Sequence, residues 1–197
     1  MYDVTATGEL LIDFTRNGLS EQNNRIYEAN PGGAPCNVLA MLGKLGYKTA
    51  FIGKVGDDEF GKLLKNTISE QKIDAAGLIL DPNAKTTLAF VDNDETGDRS
   101  FSFYRKPGAD MMLREDEVNY ELIDNCRIFH FGSLSMTDEP VRSATYAMID
   151  YAKKKNKIIS FDPNLRPPLW ENEDLAAKQI WYGIEQCDIL KIADNEI

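Results

Sequence analysis

Short apolar runs alternate along this chain with stretches that carry apolar residues at helical spacing, and no other feature restricts the fold as tightly. DVTATGELLIDF, residues 3–14, reads as one strand that enters a core and emerges at Asp13, and residues 14–30 are polar and turn-rich. In APCNVLAMLGKLG, Ala34, Val38, Met41, Leu42 and Leu45 share a helical face that Gly46 stops. TAFIGKV follows as a short buried strand, and DDEFGKLLKNTISEQ as an amphipathic helix with Asp57 as its cap. RIFHFGS, KIISFDPN and CDILKIADN are further strands, with helical EPVRSATYAMIDYAKKKN and NEDLAAKQIWYGIEQ between them.

This order predicts an α/β fold: a doubly wound, mostly parallel sheet with helices on both faces. Ligands of such sheets gather beyond the carboxyl ends of the strands. Asp13, Gly132–Ser133, Asp162–Pro163–Asn164 and Asp194–Asn195 each follow a strand and are expected on that one rim. Between them TTLAFVD and RSFSFYR alternate apolar with polar residues and are joined by the turn-forming NDETGD, which signals a hairpin. The hairpin is too polar for a central sheet, so it is expected to project over the rim as a flap.

Composition narrows the function classes. At 197 residues the chain suits one large domain or two small ones, with a substantial core. A formal charge of −10 argues against a nucleic-acid surface, which needs a basic face. No apolar run approaches the roughly 20 residues of a membrane span, and no basic-then-apolar leader opens the chain. Cys36, Cys126 and Cys187 are far apart, which suggests neither disulfides nor a metal site and fits a reducing cytoplasm.

The most informative short stretch is NPGGAPCN, residues 30–37. Pro35 suits the first turn of a helix, where its missing N–H has no partner to lose. Gly32 and Gly33 let the backbone approach a ligand, and the unpaired N–H groups of a helix start bind hydroxyl or anionic oxygens. Asn37 adds a donor and an acceptor, and Asp13 a charged acceptor. Together they make a cradle for a polyol. The same residues also fit a tight strand-to-helix turn with Asp13 as a solvated cap, and local sequence leaves both readings open.

The spacing from GGAPCN through Gly46 to GKVGDDEFG resembles the N-terminal motif of the ribokinase-like (PfkB) carbohydrate kinases. GELLIDF, RSFSFYRKPGAD, FDPNLR and KIADNE are similar to that family's further motifs and stand in its order, so the likeness covers the whole chain and is greatest to bacterial fructokinases. Leu39 departs from the pattern, standing where the family usually has a small residue.

The resemblance implies an ATP- and Mg2+-dependent kinase acting on a small sugar such as fructose. A 2-keto-3-deoxygluconate kinase and a non-catalytic sugar-binding module are the alternatives. It also implies that Asp13, Gly32, Gly33 and Asn37 hold the sugar, and that residues of about 14–31 and 86–106 form a lid. On the lid, alternation puts Phe101, Phe103 and Arg105 on one face, with Phe103 and Arg105 reaching the sugar; a solvated arginine on an edge strand is the other reading of Arg105. The exposed edges of that lid make a homodimer through it an expectation.

Asn164 and Arg166 are expected against substrate or phosphate, although Asp162–Pro163–Asn164 also reads as a plain turn. Lys191 and Asn195 are expected on the ATP side. Asn195 is similar to the first residue of the family's Asn-x-x-Glu motif, whose glutamate would fall just past Ile197; Glu196 is out of register. The family's general-base aspartate belongs to a Gly-Ala-Gly-Asp motif that these residues do not contain. It is expected beyond Ile197 with most of the ATP-binding part, which leaves 1–197 as the N-terminal, sugar-binding part of the kinase domain. His130, in the strand IFHFG, reads as a satisfied strand residue rather than a base.

Overall fold

The computed structural model describes residues 1–93 and 99–196. Five apolar runs become strands of one sheet: β1 (Tyr2–Thr7), β4 (Thr49–Gly56), β8 (Cys126–Gly132), β9 (Ile158–Asp162) and β10 (Ile189–Leu190). With β5 (Ile73–Asp81) they form a six-stranded sheet in the order β10-β9-β8-β1-β4-β5. Every neighbouring pair in it is parallel. Helices α1 (Ala34–Lys44) and α2 (Glu59–Glu70) cover one face, where Leu39, Leu64 and Ile68 pack with Ala6, Phe51 and Val55. The short α3 (Glu121–Asp124), α4 (Val141–Lys154) and α5 (Glu173–Gln186) cover the other, where Met148, Ile149 and Ile180 pack with Phe129, Phe131 and Phe161. The doubly wound α/β architecture is therefore the observed one. Leu39 is fully buried in helix packing.

The first apolar run is not one strand. It breaks at Gly8, and the chain leaves the main sheet to enter a second one through β2 (Leu11–Leu19). The segment that reads as turn-rich is β3 (Arg25–Gly32), antiparallel to β2. The hairpin strands are β6 (Leu88–Asn93) and β7 (Arg99–Tyr104), and they complete a four-stranded sheet in the order β3-β2-β6-β7. The turn of that hairpin, residues 94–98, lies outside the described residues. Helix α2 is capped by Asp58 rather than Asp57: the Asp58 carboxylate accepts the Gly61 N–H at 2.9 Å, as well as the Thr86 N–H and hydroxyl.

All eight residues of β4 are buried, as a central parallel strand requires, yet Lys54 is among them. Its ammonium, on a side chain 2% exposed, meets Glu117 at 2.7 Å, Asp81 at 3.2 Å and the Met112 carbonyl at 3.1 Å. That group ties β4, β5 and the 109–117 segment together. Removing one partner of a buried ion pair leaves the other charge uncompensated, at a cost of about 3–5 kcal/mol. Lys54→Ala should therefore lower unfolding stability by about that much in urea titrations. A loss under about 1 kcal/mol would show that the group is solvated in practice.

Candidate functional site

Where the two sheets meet, the start of α1, the strands β2 and β7 and the loops after β8 and β9 enclose a cavity of about 210 Å³. Asp13 and Leu11 of β2, Gly33, Ala34 and Asn37 of the helix start, and Phe101 and Phe103 of β7 line it. Leu134, Asn164 and Arg166 complete it from the main sheet's rim, and Glu9 from the crossing between sheets. The size is below the roughly 300–1,000 Å³ of sites for drug-sized ligands and suits a small polar molecule.

The local chemistry explains the glycines. At Gly32 a Cβ would collide with the Asp13 carboxylate, so only glycine lets that side chain turn into the cavity. Gly33 has φ of +121°, and a Cβ there would strike the Glu9 carbonyl oxygen. Gly33 is the N-cap and supplies no side-chain cap; instead the Ala34 N–H donates to Glu9 Oε1 at 2.8 Å. Pro35 and Cys36 are buried just behind, while Asn37 stays exposed at the cavity mouth. Burial raises the Asp13 pKa, opposed by the Arg166 guanidinium across the cavity. Arg166 also lies over the Phe101 ring, 5.9 Å from its centroid, near the limit of a cation–π contact. Phe101 and Phe103 stack with centroids 5.9 Å apart, making one apolar wall. Asn164 lines the cavity with φ of +43°, its N–H held by Asp162 Oδ1 at 3.1 Å.

Of the residues expected from sequence, Asp13, Gly33, Asn37, Phe103, Asn164 and Arg166 come together here, and Gly32 stands directly behind Asp13. Arg105 does not join them. It follows the end of β7, is 3% exposed, and its guanidinium turns inward to Asp110 at 2.7 Å, Thr137 at 2.9 Å and the Leu134 carbonyl at 2.8 Å. A group so engaged is a buried brace, neither a sugar-reaching cation nor a solvated edge arginine.

Lys191 also stands apart. Its side chain is 61% exposed and pairs with Asp162 at 3.2 Å outside the cavity. The side chain of Asn195 lies outside the described residues. Glu196 accepts the N–H groups of Leu165 and Ala193, which anchors the loop that carries Arg166. His130 is buried, with Nδ1 3.0 Å from Ser160 Oγ, and burial lowers its pKa. Among the described residues, no three acidic, histidine or cysteine side chains cluster as metal ligands.

Glu9 is the site residue that sequence reasoning missed. Reading residues 3–14 as one strand made it a strand interior. The available signal was Gly8, since a glycine inside an apolar run marks a bend or a close backbone approach. Glu9 is 3% exposed, and burial pushes its pKa up to about 7, against the pull of its backbone N–H partners and of Arg105.

The fold and the cavity define a doubly wound α/β domain with a small polar site under a second sheet, and comparison with known proteins gives its family. The pfkB family carbohydrate kinase model matches residues 1–197, and the chain belongs to that family. Probable fructokinase-2 of Arabidopsis thaliana is 44% identical over 196 residues, which are 98% of this chain and 60% of that protein. The crystal structure of fructokinase with bound ATP from Xylella fastidiosa superposes with a TM-score of 0.91 at 36% identity, covering 100% of this chain and 59% of that one. The fructokinase of Vibrio cholerae in fructose, ADP and calcium ion bound form gives a TM-score of 0.88 at 33% identity, covering 100% and 61%. The chain thus spans about 60% of the length of these relatives.

The buried Glu9 makes a pH prediction. Its folded pKa near 7 lies above the ordinary 4.5, so its contribution to stability is fully present below the lower value and is lost as pH rises through the upper one. The difference is about 3 kcal/mol. Between about pH 4 and pH 8 the wild type should lose roughly that much stability relative to Glu9→Gln, read by urea unfolding at each pH. Parallel pH profiles for the two proteins would show that Glu9 is not buried as a titrating acid.

Proposed function

We propose that this chain is the sugar-binding part of a kinase that transfers a phosphoryl group from ATP to fructose or a closely similar neutral sugar. The observation that supports the reading is the convergence of Asp13, the Gly33–Ala34 backbone and Asn37 opposite the Phe101–Phe103 wall in one cavity of monosaccharide scale. In this reading Asp13 accepts hydrogen bonds from sugar hydroxyls, the helix start donates to them, and Asn37 does both. The aromatic pair covers the less polar face of the ring and keeps water from the reacting hydroxyl, so the second sheet, formed by residues of about 14–31 and 86–106, acts as a lid over the sugar. Holding the hydroxyl in place is the larger part of what phosphoryl transfer asks of a protein.

ATP supplies the phosphoryl group and Mg2+ neutralises its charge. The residues fit these groups in part: the Arg166 guanidinium lines the cavity and suits phosphate oxygens, while Lys191 and Asn195 would meet the nucleotide from outside it. No residue here is assigned as general base, because the Gly-Ala-Gly-Asp sequence is absent from these 197 residues. The chain alone is therefore expected to turn over no sugar. A neutral sugar is preferred to 2-keto-3-deoxygluconate because Ala89 pairs with Phe103 on the lid and neither offers a phenol to a carboxylate.

Two further elements belong to this reading. No helix among the described residues is long and apolar enough to cross a membrane, and three free thiols suit a cytoplasmic setting. Leu19, Ile26 and Tyr104 of the second sheet are exposed, which supports dimerisation through that sheet. A dimer would double the mass in sedimentation equilibrium, and a monomer at all concentrations would dismiss it.

Loss of a charged acceptor costs about 1.5–3 kcal/mol, so Asp13→Ala should weaken fructose binding at least about tenfold in calorimetry. Wild type should also bind fructose more tightly than 2-keto-3-deoxygluconate. Unaltered fructose affinity in the variant would remove Asp13 from the site, and the reverse sugar preference would transfer the assignment to the acid-sugar kinase.

A further inference from the structure

Helix α1 begins without the usual side-chain cap. Ala34 is its first residue, so the Ala34 N–H has no acceptor within the helix, and Gly33 has no side chain to offer one. Glu9 fills that role from outside the helix. Its Oε1 takes the Ala34 N–H, and its main-chain carbonyl packs directly on Gly33, so one residue grips both peptides at the helix start. Those peptides and Glu9 itself form a wall of the cavity.

A buried carboxyl is an unusual choice where a serine or asparagine would do, and its neighbours make it responsive. Arg105 and Asp110 face it from the segment after β7, and Cys36 faces it from α1. Asp13 and Arg166 stand across the same cavity. Burial holds the Cys36 thiol well above its ordinary range, so it stays neutral, whereas Glu9 changes charge near pH 7.

We propose that Glu9 is a positioning residue for sugar binding: its carboxylate fixes the Gly33–Ala34 edge of the cavity, and that edge holds sugar hydroxyls more tightly when Glu9 is ionised. The inference rests on the reading of this cavity as the sugar site. A hydrogen bond to a charged acceptor is shorter and about twice as strong as one to a neutral acceptor. Protonation of Glu9 therefore loosens the helix start without removing any group that touches the sugar, and Asp13 remains in place on both sides of the transition.

The test has two arms on the chain uniformly labelled with nitrogen-15 and carbon-13. In the first, the Ala34 amide and the Glu9 carboxyl carbon are followed by NMR against pH without sugar. Both should titrate together with a midpoint near 7, and the Ala34 step should vanish in Glu9→Gln. In the second, fructose affinity measured by calorimetry should rise about fivefold across the same midpoint, and that step too should vanish in Glu9→Gln. A flat Ala34 shift, or a Glu9 carboxyl that titrates in the ordinary carboxylate range, overturns the proposal, and both are read on wild type even where the variant fails to fold. A titrating Ala34 with one fructose affinity at every pH overturns it as well, leaving Glu9 a structural cap. Absence of fructose binding at any pH defeats the substrate reading and with it the link to sugar, while the Ala34 titration still decides whether Glu9 grips the helix.

Discussion

The buried guanidinium of Arg105 joins the two sheets, and the shape of the cavity depends on that junction. Arg105 follows the last residue of β7, the strand that supplies Phe101 and Phe103. Its three bonded nitrogens reach Asp110, Thr137 and the carbonyl of Leu134, and Leu134 is itself a wall of the cavity on the main sheet's side. Asp110 in turn accepts the Thr87 hydroxyl at the foot of β6. The aromatic wall and the strand-end wall are therefore held at a fixed separation by one charged network, with Arg105 and Asp110 side chains 3% and 2% exposed. A buried pair is a weak source of net stability but a strong constraint on geometry when each donor is matched.

Five of the main sheet's six strands were legible in the sequence because buried parallel strands and amphipathic helices leave opposite hydrophobic patterns, while the edge strand β5 was not read. The helix start was legible for a different reason: Gly32, Gly33 and Pro35 are backbone requirements, and such requirements admit few residues. What stayed hidden depends on contacts between distant segments. Val4, Ala6, Leu10, Leu11 and Ile12 make residues 3–14 read as one apolar run, and nothing in their period shows that β1 and β2 belong to different sheets. Alternation put Arg105 on the face of Phe101 and Phe103, but the strand ends at Tyr104, and Asp110 and Leu134 draw the side chain inward instead. Glu9 followed the same logic, since its partner at Ala34 lies 25 residues away.

Size and polarity separate the candidate site from the groove along α5. A groove of about 620 Å³ runs along α5 past Trp170, Trp181 and Ile192, and its walls are mainly apolar. It has room for more than a sugar, but it lacks the converging donors and acceptors that orient a polyol. The smaller cavity has a carboxylate at Asp13, a guanidinium at Arg166, an amide at Asn37 and an aromatic wall. The sequence places these groups far apart: the parallel sheet brings Leu134, Asn164 and Arg166 from beyond its strand ends, the start of α1 brings Asn37, and the second sheet brings Asp13 from within β2 and the aromatic pair from within β7.

The most direct test of the account is a crystal structure of this chain grown with fructose. The account predicts the sugar between Asp13 and the Phe101–Phe103 pair, with hydroxyls within hydrogen-bond reach of the Asp13 carboxylate, the Asn37 amide and the Gly33–Ala34 backbone. Fructose ordered in the groove along α5, with the cavity at the start of α1 empty of it, would contradict the account.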